Sequence, residues 1–420
     1  MGLPNTILFA EKGFNVIAAD ISETVVNSLK KGKSHVRDPV LEKTFSNAFK
    51  TGRITATTNI AQAIRKADVV ILSVPTPTKR NQPDLRFIKA SCKAIGKNLN
   101  KNKLVVIEST VYPSACRLVV KPILEKESGL KCGKDFFLAH CPERLNPSDY
   151  KHSIRNTVRV VGGYDKASGD VAELLYKQII DAMVFRVSNL DTAELVKLVE
   201  NTQRDLNIAF VNEVALICEK IGVDAKEVVD ACSTKWNFYR LLPGPGVGGH
   251  CLPNNPYYIL RRSKECGFTP RLIMMGRQVN DSMPSHVVKL IEDGLLEAGR
   301  SVKDSKICLL GVAYKANIDD VRMSPAHKIA KELRRKKADL VIHDPHVRKA
   351  NALKVHDKVV KSLKEALKAD CLVFLCAHDE YKKIDLNKTK ASVIVDAAFL
   401  FDKEKTKKVY KRPGLGKISD

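Results

Sequence analysis

No stretch of this 420-residue chain is long and apolar enough to cross a membrane. The longest apolar runs, such as Leu104 to Ile107 and Cys371 to Ala377, have the length of strands and are flanked by charge. The N-terminus has no basic lead and no signal-peptide organisation, so the cytoplasm is the expected compartment. Disulfide and zinc spacings are missing too. The 11 cysteines are odd in number, include no CxxC pair and follow no regular spacing, which predicts reduced thiols and no metal. Aromatic residues are scarce at 6%, and none interleaves with the lysines as a base-stacking surface requires. Acidic residues are outnumbered 47 to 71, for a net charge of +24. The basic residues are scattered, with short clusters at Lys30-Lys31, Arg334 to Lys337 and Lys403 to Arg412. They read as a solvated surface that favours multiply charged small ligands, not as a nucleic-acid site.

What is present is an alternation of helical stretches with short apolar strands, in a chain long enough for two or three domains. Asn15 to Asp20, Ala67 to Pro75, Lys103 to Thr110 and Phe136 to Cys141 read as strands of a parallel sheet covered on both faces. Ligands of such sheets sit at the carboxyl ends of the strands, which places Thr76, Thr110 and Glu143 near a bound molecule. An acid closing a strand about 20 residues after a glycine turn, here Asp20 after Gly2, is half of a dinucleotide fingerprint. From Asp191 a long helix follows. Its polar residues Glu194, Lys197, Asn201, Arg204 and Asp205 recur at spacings of three and four, so Lys197, Asn201 and either Arg204 or Asp205 share a face. A second set of strands begins near Lys306, at Ile307 to Gly311, Leu340 to Pro345, Cys371 to Cys376 and Val393 to Asp396.

Between these parts lies Pro243-Gly244-Pro245-Gly246-Val247-Gly248-Gly249-His250-Cys251. Four glycines and two prolines exclude helix or strand interior and shape the backbone for close approach. The loop leaves the thiol of Cys251 reachable, with His250 as an electrostatic neighbour. The expected fold class is therefore α/β, two Rossmann-like doubly wound units joined by a helical middle. The boundaries are 1–185, 186–300 and 301–420.

Several further motifs stand in order: Gly2-Leu3-Pro4, Ser73-Val74-Pro75-Thr76-Pro77, Glu108-Ser109-Thr110, Cys141-Pro142-Glu143-Arg144, Ala193 to Thr202, Arg204-Asp205-Leu206-Asn207 and Gly311-Val312-Ala313-Tyr314-Lys315. With the cysteine loop they make the chain resemble, over nearly its whole length, the UDP-glucose/GDP-mannose dehydrogenase family, and within it most closely the branch that oxidises UDP-N-acetyl-D-mannosamine and its UDP-N-acetylglucosamine-oxidising relatives, with UDP-glucose as a further alternative substrate. The resemblance implies oxidation of a sugar C6 alcohol to a carboxylate with two NAD per sugar. It implies that Cys251, Lys197, Asn201 and Glu143 are catalytic, that Arg144, Leu145, Arg204, Gly248 and Lys315 hold the UDP-sugar, and that Gly2, Asp20, Thr76, Thr110 and Arg322 face NAD. A homodimer through the central helices is implied as well.

The chain also departs from the family. The sequence opens inside the phosphate-binding turn without the first strand and the first two glycines of the family's GxGxxG, and the expectation from the resemblance is that the natural start lies upstream. Asn255 stands where the family usually has aspartate, Lys235 to Tyr239 replace a His-Pro-Arg segment, and Ala398 replaces a basic residue. Three readings follow: an active nucleotide-sugar dehydrogenase, a UDP-sugar-binding paralogue without NAD chemistry, and a hydroxyacid-type dehydrogenase, which needs no cysteine loop. They separate at one atom. In the first reading Cys251→Ser abolishes NADH formation from UDP-sugars, and full activity in that variant rules out the covalent route.

Overall fold

The computed structural model describes residues 2–36, 38–79, 81–144 and 154–416. The chain divides into two compact units, Met1–Glu200 with Tyr257–Phe268, and Asn201–Pro256 with Thr269–Asp420.

The first unit runs α1 (Gly2–Glu11), β1 (Val16–Ala19), α2 (Glu23–Lys30), α3 (Pro39–Phe49), β2 (Ile54–Thr57), α4 (Ile60–Lys66) and β3 (Val69–Leu72). A short hairpin, β4 (Thr78–Lys79) and β5 (Gln82–Pro83), leads to α5 (Arg86–Gly96), β6 (Leu104–Ile107) and a π-helical turn at Cys116–Val120 that continues as α6 (Lys121–Ser128). Then come β7 (Phe137–His140), β8 (Arg159–Gly163), α7 (Lys166–Lys177), β9 (Val184–Arg186) and the start of α8 (Leu190–Ile221). Local chemistry sets the boundaries. Asp38 accepts from the N–H groups of Val40 and Leu41 with Pro39 in the first turn of α3, and Asp165 caps α7 through the Ser168 N–H at 2.7 Å.

Five strands form one sheet in the order β3-β6-β7-β8-β9. The pairs β3/β6, β6/β7 and β8/β9 are parallel, whereas β7/β8 is antiparallel, a departure from the all-parallel sheet expected. Two glycines permit the close packing around β8: a Cβ on Gly162 would lie 2.2 Å from the Asn189 carbonyl, and one on Gly163 2.3 Å from the Gly169 nitrogen. β1 pairs with β2 in a separate two-stranded parallel sheet, and no strand among the described residues joins β1 to β3. β6 is buried along its whole length because its two faces serve two cores. Val105 and Ile107 pack with Ile88, Cys92 and Leu124, while Leu104 and Val106 pack with Leu8, Ala172 and Tyr176.

The second unit contains the rest of α8, α9 (Ala225–Cys232), the start of α10 (Asn255–Glu265) and α11 (Arg271–Glu297). Next are β10 (Lys306–Leu310), α12 (Pro325–Arg335), β11 (Asp339–His343), α13 (Lys349–Ala352), α14 (Leu363–Ala366), β12 (Cys371–Phe374), β13 (Val393–Asp396) and β14 (Val409–Lys411). Its sheet is parallel throughout, in the order β11-β10-β12-β13-β14. The two Rossmann-like sheets and the long helices α8 and α11 match the expected fold class. In this unit α8 meets α11 closely enough that a Cβ on Gly276 would lie 2.5 Å from Leu206. There the Arg277 guanidinium binds Asp205 at 2.6 Å, and both side chains are buried. No helix among the described residues is long and apolar enough to cross a membrane.

The turn after β10 depends on one carboxylate. Asp344 Oδ2 accepts from Val312 N–H (2.8 Å), Ala313 N–H (3.0 Å) and His378 Nε2 (3.1 Å), and Oδ1 from His346 N–H (2.9 Å) and Val347 N–H (3.0 Å). Burial works to raise the pKa of this acid, but His378 and the backbone donors outweigh it and hold the value below the usual carboxylate range. Its stabilisation is thus present above the unfolded carboxylate pKa and lost as pH falls through the lower folded one. Asp344→Ala is expected to cost about 3 kcal/mol at pH 7 by denaturant titration, with the gap to wild type narrowing below about pH 4.

Candidate active site

In the second unit, the segment from Pro243 to Cys251 has no strand or helix of its own, so side chains and single backbone bonds hold it. Gly244 N–H donates to Asn212 Oδ1 at 2.9 Å, and Asn212 Nδ2 donates to Asn280 Oδ1 at 2.9 Å. Asn280 in turn donates to the Asp205 carbonyl and carboxylate, both at 2.9 Å. A buried polar chain thus connects the loop to the ion pair that locks α8 to α11. Farther along, Gly249 N–H donates to the Arg322 carbonyl at 2.9 Å. Gly248 and Gly249 lie against Tyr314: a Cβ on Gly248 would stand 2.6 Å from the Tyr314 Cβ, and Gly249 has φ +90°.

Cys251 emerges from this loop exposed, while the buried cysteines are sealed in core. Its carbonyl accepts from the N–H groups of Asn254 (3.1 Å) and Asn255 (2.9 Å), and Asn254 Nδ2 caps the His250 carbonyl at 2.7 Å, so a tight turn joins the thiol to α10. Tyr314 and Arg322 lie close enough to the thiol to feel its charge. Arg322, expected at the cofactor, is engaged with Asp320 at 2.6 Å. Burial, with Arg322 adding to it and Asp320 opposing, lowers the pKa of His250, so its imidazole is neutral at pH 7. Asn201 Nδ2 donates to Asn255 Oδ1, a neutral amide pair in which Asn255 is buried. Arg204 is exposed and Lys315 half-buried. Asp205, one of two residues expected on the ligand face of α8, is instead committed to Arg277.

In the first unit, Glu143 follows β7 and is 3% exposed, its Oε1 accepting from the Arg144 N–H at 2.8 Å. The Arg144 guanidinium reaches the Val158 carbonyl at 2.7 Å and Glu200 at 2.6 Å. Lys197 on α8 is buried, and among the described residues no hydrogen bond or ion pair involves its ammonium. Lys197 and Asn201 stand one turn apart along α8. Leu145 lies outside the described residues.

The groups expected at a dinucleotide also belong to this unit, apart from Arg322. Gly2 opens α1, with nothing within 4 Å of the place where a Cβ would stand. Asp20 follows β1, half-buried, and accepts from Ser22 N–H at 2.8 Å. Thr76 is buried, its carbonyl accepting from the Tyr258 hydroxyl at 2.6 Å, and Thr110 is half-buried after β6. An open helix start, an acid after one strand and hydroxyls after two others fit NAD. Among the described residues no group of three or more His, Cys, Asp or Glu is placed to hold a metal.

Two clusters escaped the sequence reading: Asn212, Asn280 and Arg277 behind the loop, and Arg159, Asn5 and Tyr176 behind Glu143. A charged residue heading an apolar strand, as Arg159 heads Val160-Val161, was the available signal for the second.

The chain matches family models of UDP-glucose/GDP-mannose dehydrogenases in three consecutive stretches. These are the NAD binding domain over residues 1–180, the central domain over 191–282 and the UDP binding domain over 308–409. Protein CapL of Staphylococcus aureus is 35% identical over 403 residues, covering 96% of this chain and 93% of its own. A UDP-N-acetyl-D-glucosamine 6-dehydrogenase of Pseudomonas aeruginosa is 33% identical over 412 residues, covering 97% and 96%. The solved structure of a UDP-D-ManNAc dehydrogenase from Pyrococcus horikoshii superposes with a TM-score of 0.91 at 31% identity, covering 99% of this chain and 97% of the other.

The contact between Gly248 and Tyr314 yields a direct test. Gly248→Ala forces the loop away from the Tyr314 backbone side and is expected to lower turnover at least about tenfold, with a change in melting temperature of only a few degrees.

Proposed function

The chain belongs to the UDP-glucose/GDP-mannose dehydrogenase family, and from that premise we propose that it is an NAD-dependent UDP-sugar 6-dehydrogenase acting through a covalent bond to Cys251. The substrate we propose is UDP-N-acetyl-D-mannosamine, whose C6 alcohol becomes the uronic acid. The observation that carries the reading is the exposed thiol on a loop fixed by glycines and buried amides. Gly2, Asp20, Thr76, Thr110 and Arg322 would hold NAD, which when bound supplies the acceptor for the two hydrides that leave C6.

In this reading the Lys197 ammonium faces the oxygen on which negative charge develops and stabilises it, with the Asn201 amide as second contact. Cys251 Sγ adds as thiolate to the aldehyde carbon and forms the C–S bond of a thiohemiacetal. Once the carbon is at the oxidation level of a thioester, Glu143 takes a proton from the attacking water. The C–S bond then breaks, and Sγ leaves as thiolate with the carboxylate as product. Arg144, Leu145, Arg204, Gly248 and Lys315 would hold the UDP-sugar, whose charge suits a chain of net charge +24.

We place the homodimer contact on the central helices. Phe210, Ile217 and Ile221 on α8 and Leu272 and Met275 on α11 are all exposed, more apolar surface than a solvated helix carries.

NADH formation is measured with UDP-N-acetylmannosamine, UDP-N-acetylglucosamine and UDP-glucose. Two NADH per sugar with the first is the expected outcome; preference for either of the others reassigns the substrate, and no NADH from any of them favours the binding paralogue. Asn255→Asp, which keeps an acceptor for Asn201 and adds a carboxylate, is expected to raise the rate of thioester hydrolysis. An unchanged or slower second half-reaction removes Asn255 from that step.

A further inference from the structure

His378, in the turn after β12, is fully buried and spends both of its ring nitrogens. Nε2 donates to Asp344 Oδ2 at 3.1 Å, an oxygen that also accepts from the Val312 and Ala313 N–H groups. Nδ1 faces the Asn317 N–H at 2.9 Å. An N–H can only donate, so Nδ1 is the acceptor and the ring proton on Nε2 is the one given to Asp344. The ring is stacked against His346, with centres 4.9 Å apart, and meets Tyr381 edge-on at 5.5 Å.

Asn317 stands at the apex of a closed loop. The Tyr314 N–H donates to the Asp320 carbonyl at 3.1 Å, which ties the two arms together, and Asn317 between them has φ +61°, in the left-handed region. Its side chain also meets Asp379, Nδ2 donating to Oδ2 at 2.7 Å and Oδ1 accepting from the Asp379 N–H at 3.3 Å, but both contacts are exposed. Water replaces such bonds at little cost. The His378 ring has no exposed surface, so the bond from the Asn317 N–H is the shielded one and anchors the apex.

The arms of this loop support the cysteine loop. A Cβ on Gly248 would come within 2.6 Å of Tyr314 and one on Gly249 within 2.8 Å, and the carbonyl of Arg322, two residues past Asp320, accepts from the Gly249 N–H at 2.9 Å. A displaced apex carries both supports with it.

We propose that His378 is a positioning residue for the reaction: by accepting from the Asn317 N–H it fixes the loop on which Gly248 and Gly249 rest, and so sets where Cys251 Sγ stands. The inference rests on the reading of Cys251 as the nucleophile.

The test separates the two ring nitrogens in the full chain. His378→Asn puts an amide oxygen near the place of Nδ1, keeping the acceptor for Asn317 and giving up the donor to Asp344. His378→Gln puts its amide nitrogen near the place of Nε2 and does the reverse. Turnover with UDP-sugar and NAD is read beside melting temperature. H378Q is expected to lose about tenfold or more in kcat while melting closer to wild type than H378N, and H378N to stay within about threefold of wild-type kcat. A histidine that only stabilises the fold makes kcat follow melting temperature in both variants; that result overturns the proposal, as does wild-type kcat in H378Q. Hydrogen exchange gives a readout that needs no turnover. Segments 243–251 and 312–320 are expected to exchange at least about fivefold faster in H378Q and at the wild-type rate in H378N, and unchanged protection in H378Q overturns the proposal. Full activity in Cys251→Ser sinks the nucleophile instead, a different result. If H378Q does not fold, Asn317→Gly decides. It keeps the N–H and suits the positive φ but removes the Asp379 contacts, so kcat is expected to hold; a loss of about tenfold shows that Asp379, not His378, anchors the apex.

Discussion

A charge taken out of water must be met by another charge or by several oriented dipoles, and both units of this protein are arranged around meeting that requirement. In the second unit Arg277 and Asp205 lock α8 to α11, and breaking such a pair costs about 3–5 kcal/mol because the survivor is stranded. Asp344 uses dipoles instead, four backbone N–H groups and one imidazole. In the first unit Arg159 stands between two carboxylates. Each solution also orients something else: the Asp205 pair continues through Asn280 and Asn212 to the cysteine loop, and Asp344 shapes the turn that leads to Tyr314.

That continuity explains how a loop without ladder hydrogen bonds can present a thiol at a set place. A flexible glycine run would leave the thiol spread over many positions, and catalysis falls steeply with misplacement. Here the same glycines that remove secondary structure allow contact with Tyr314 too close for any Cβ, while Asn212 and the Arg322 carbonyl fix the backbone at two points. The absence of side chains at Gly248 and Gly249 is what lets the segment lie directly against Tyr314.

Much of this was legible in the sequence because it is periodic or local. The strand at Leu104 to Ile107 announced itself by an unbroken apolar run, and the buried pattern on both faces confirms why the run is unbroken. The long helix, the second parallel sheet and the reachable thiol were read the same way. Pairings across the chain were not legible. Asp205 looked like one of two residues on a ligand face, because its partner Arg277 lies 72 positions away and nothing local records it. Arg159 and Asn5 are separated by 154 positions, so the sequence offers Arg159 at the head of an apolar strand as a signal but nothing that records its partner. The antiparallel step at β8 was missed for a different reason: strand propensity carries no direction, and the tight glycine contacts that permit it are tertiary.

The Asn201–Asn255 pair ties these themes together. Two amides joined by a hydrogen bond can orient a substrate oxygen or a water, but neither can accept a proton at any ordinary pH. His250, neutral through burial, has its carbonyl held by the Asn254 amide at 2.7 Å. Under the proposed chemistry the task of deprotonating water therefore falls on a carboxylate, and Glu143, buried after β7, is the one proposed for it.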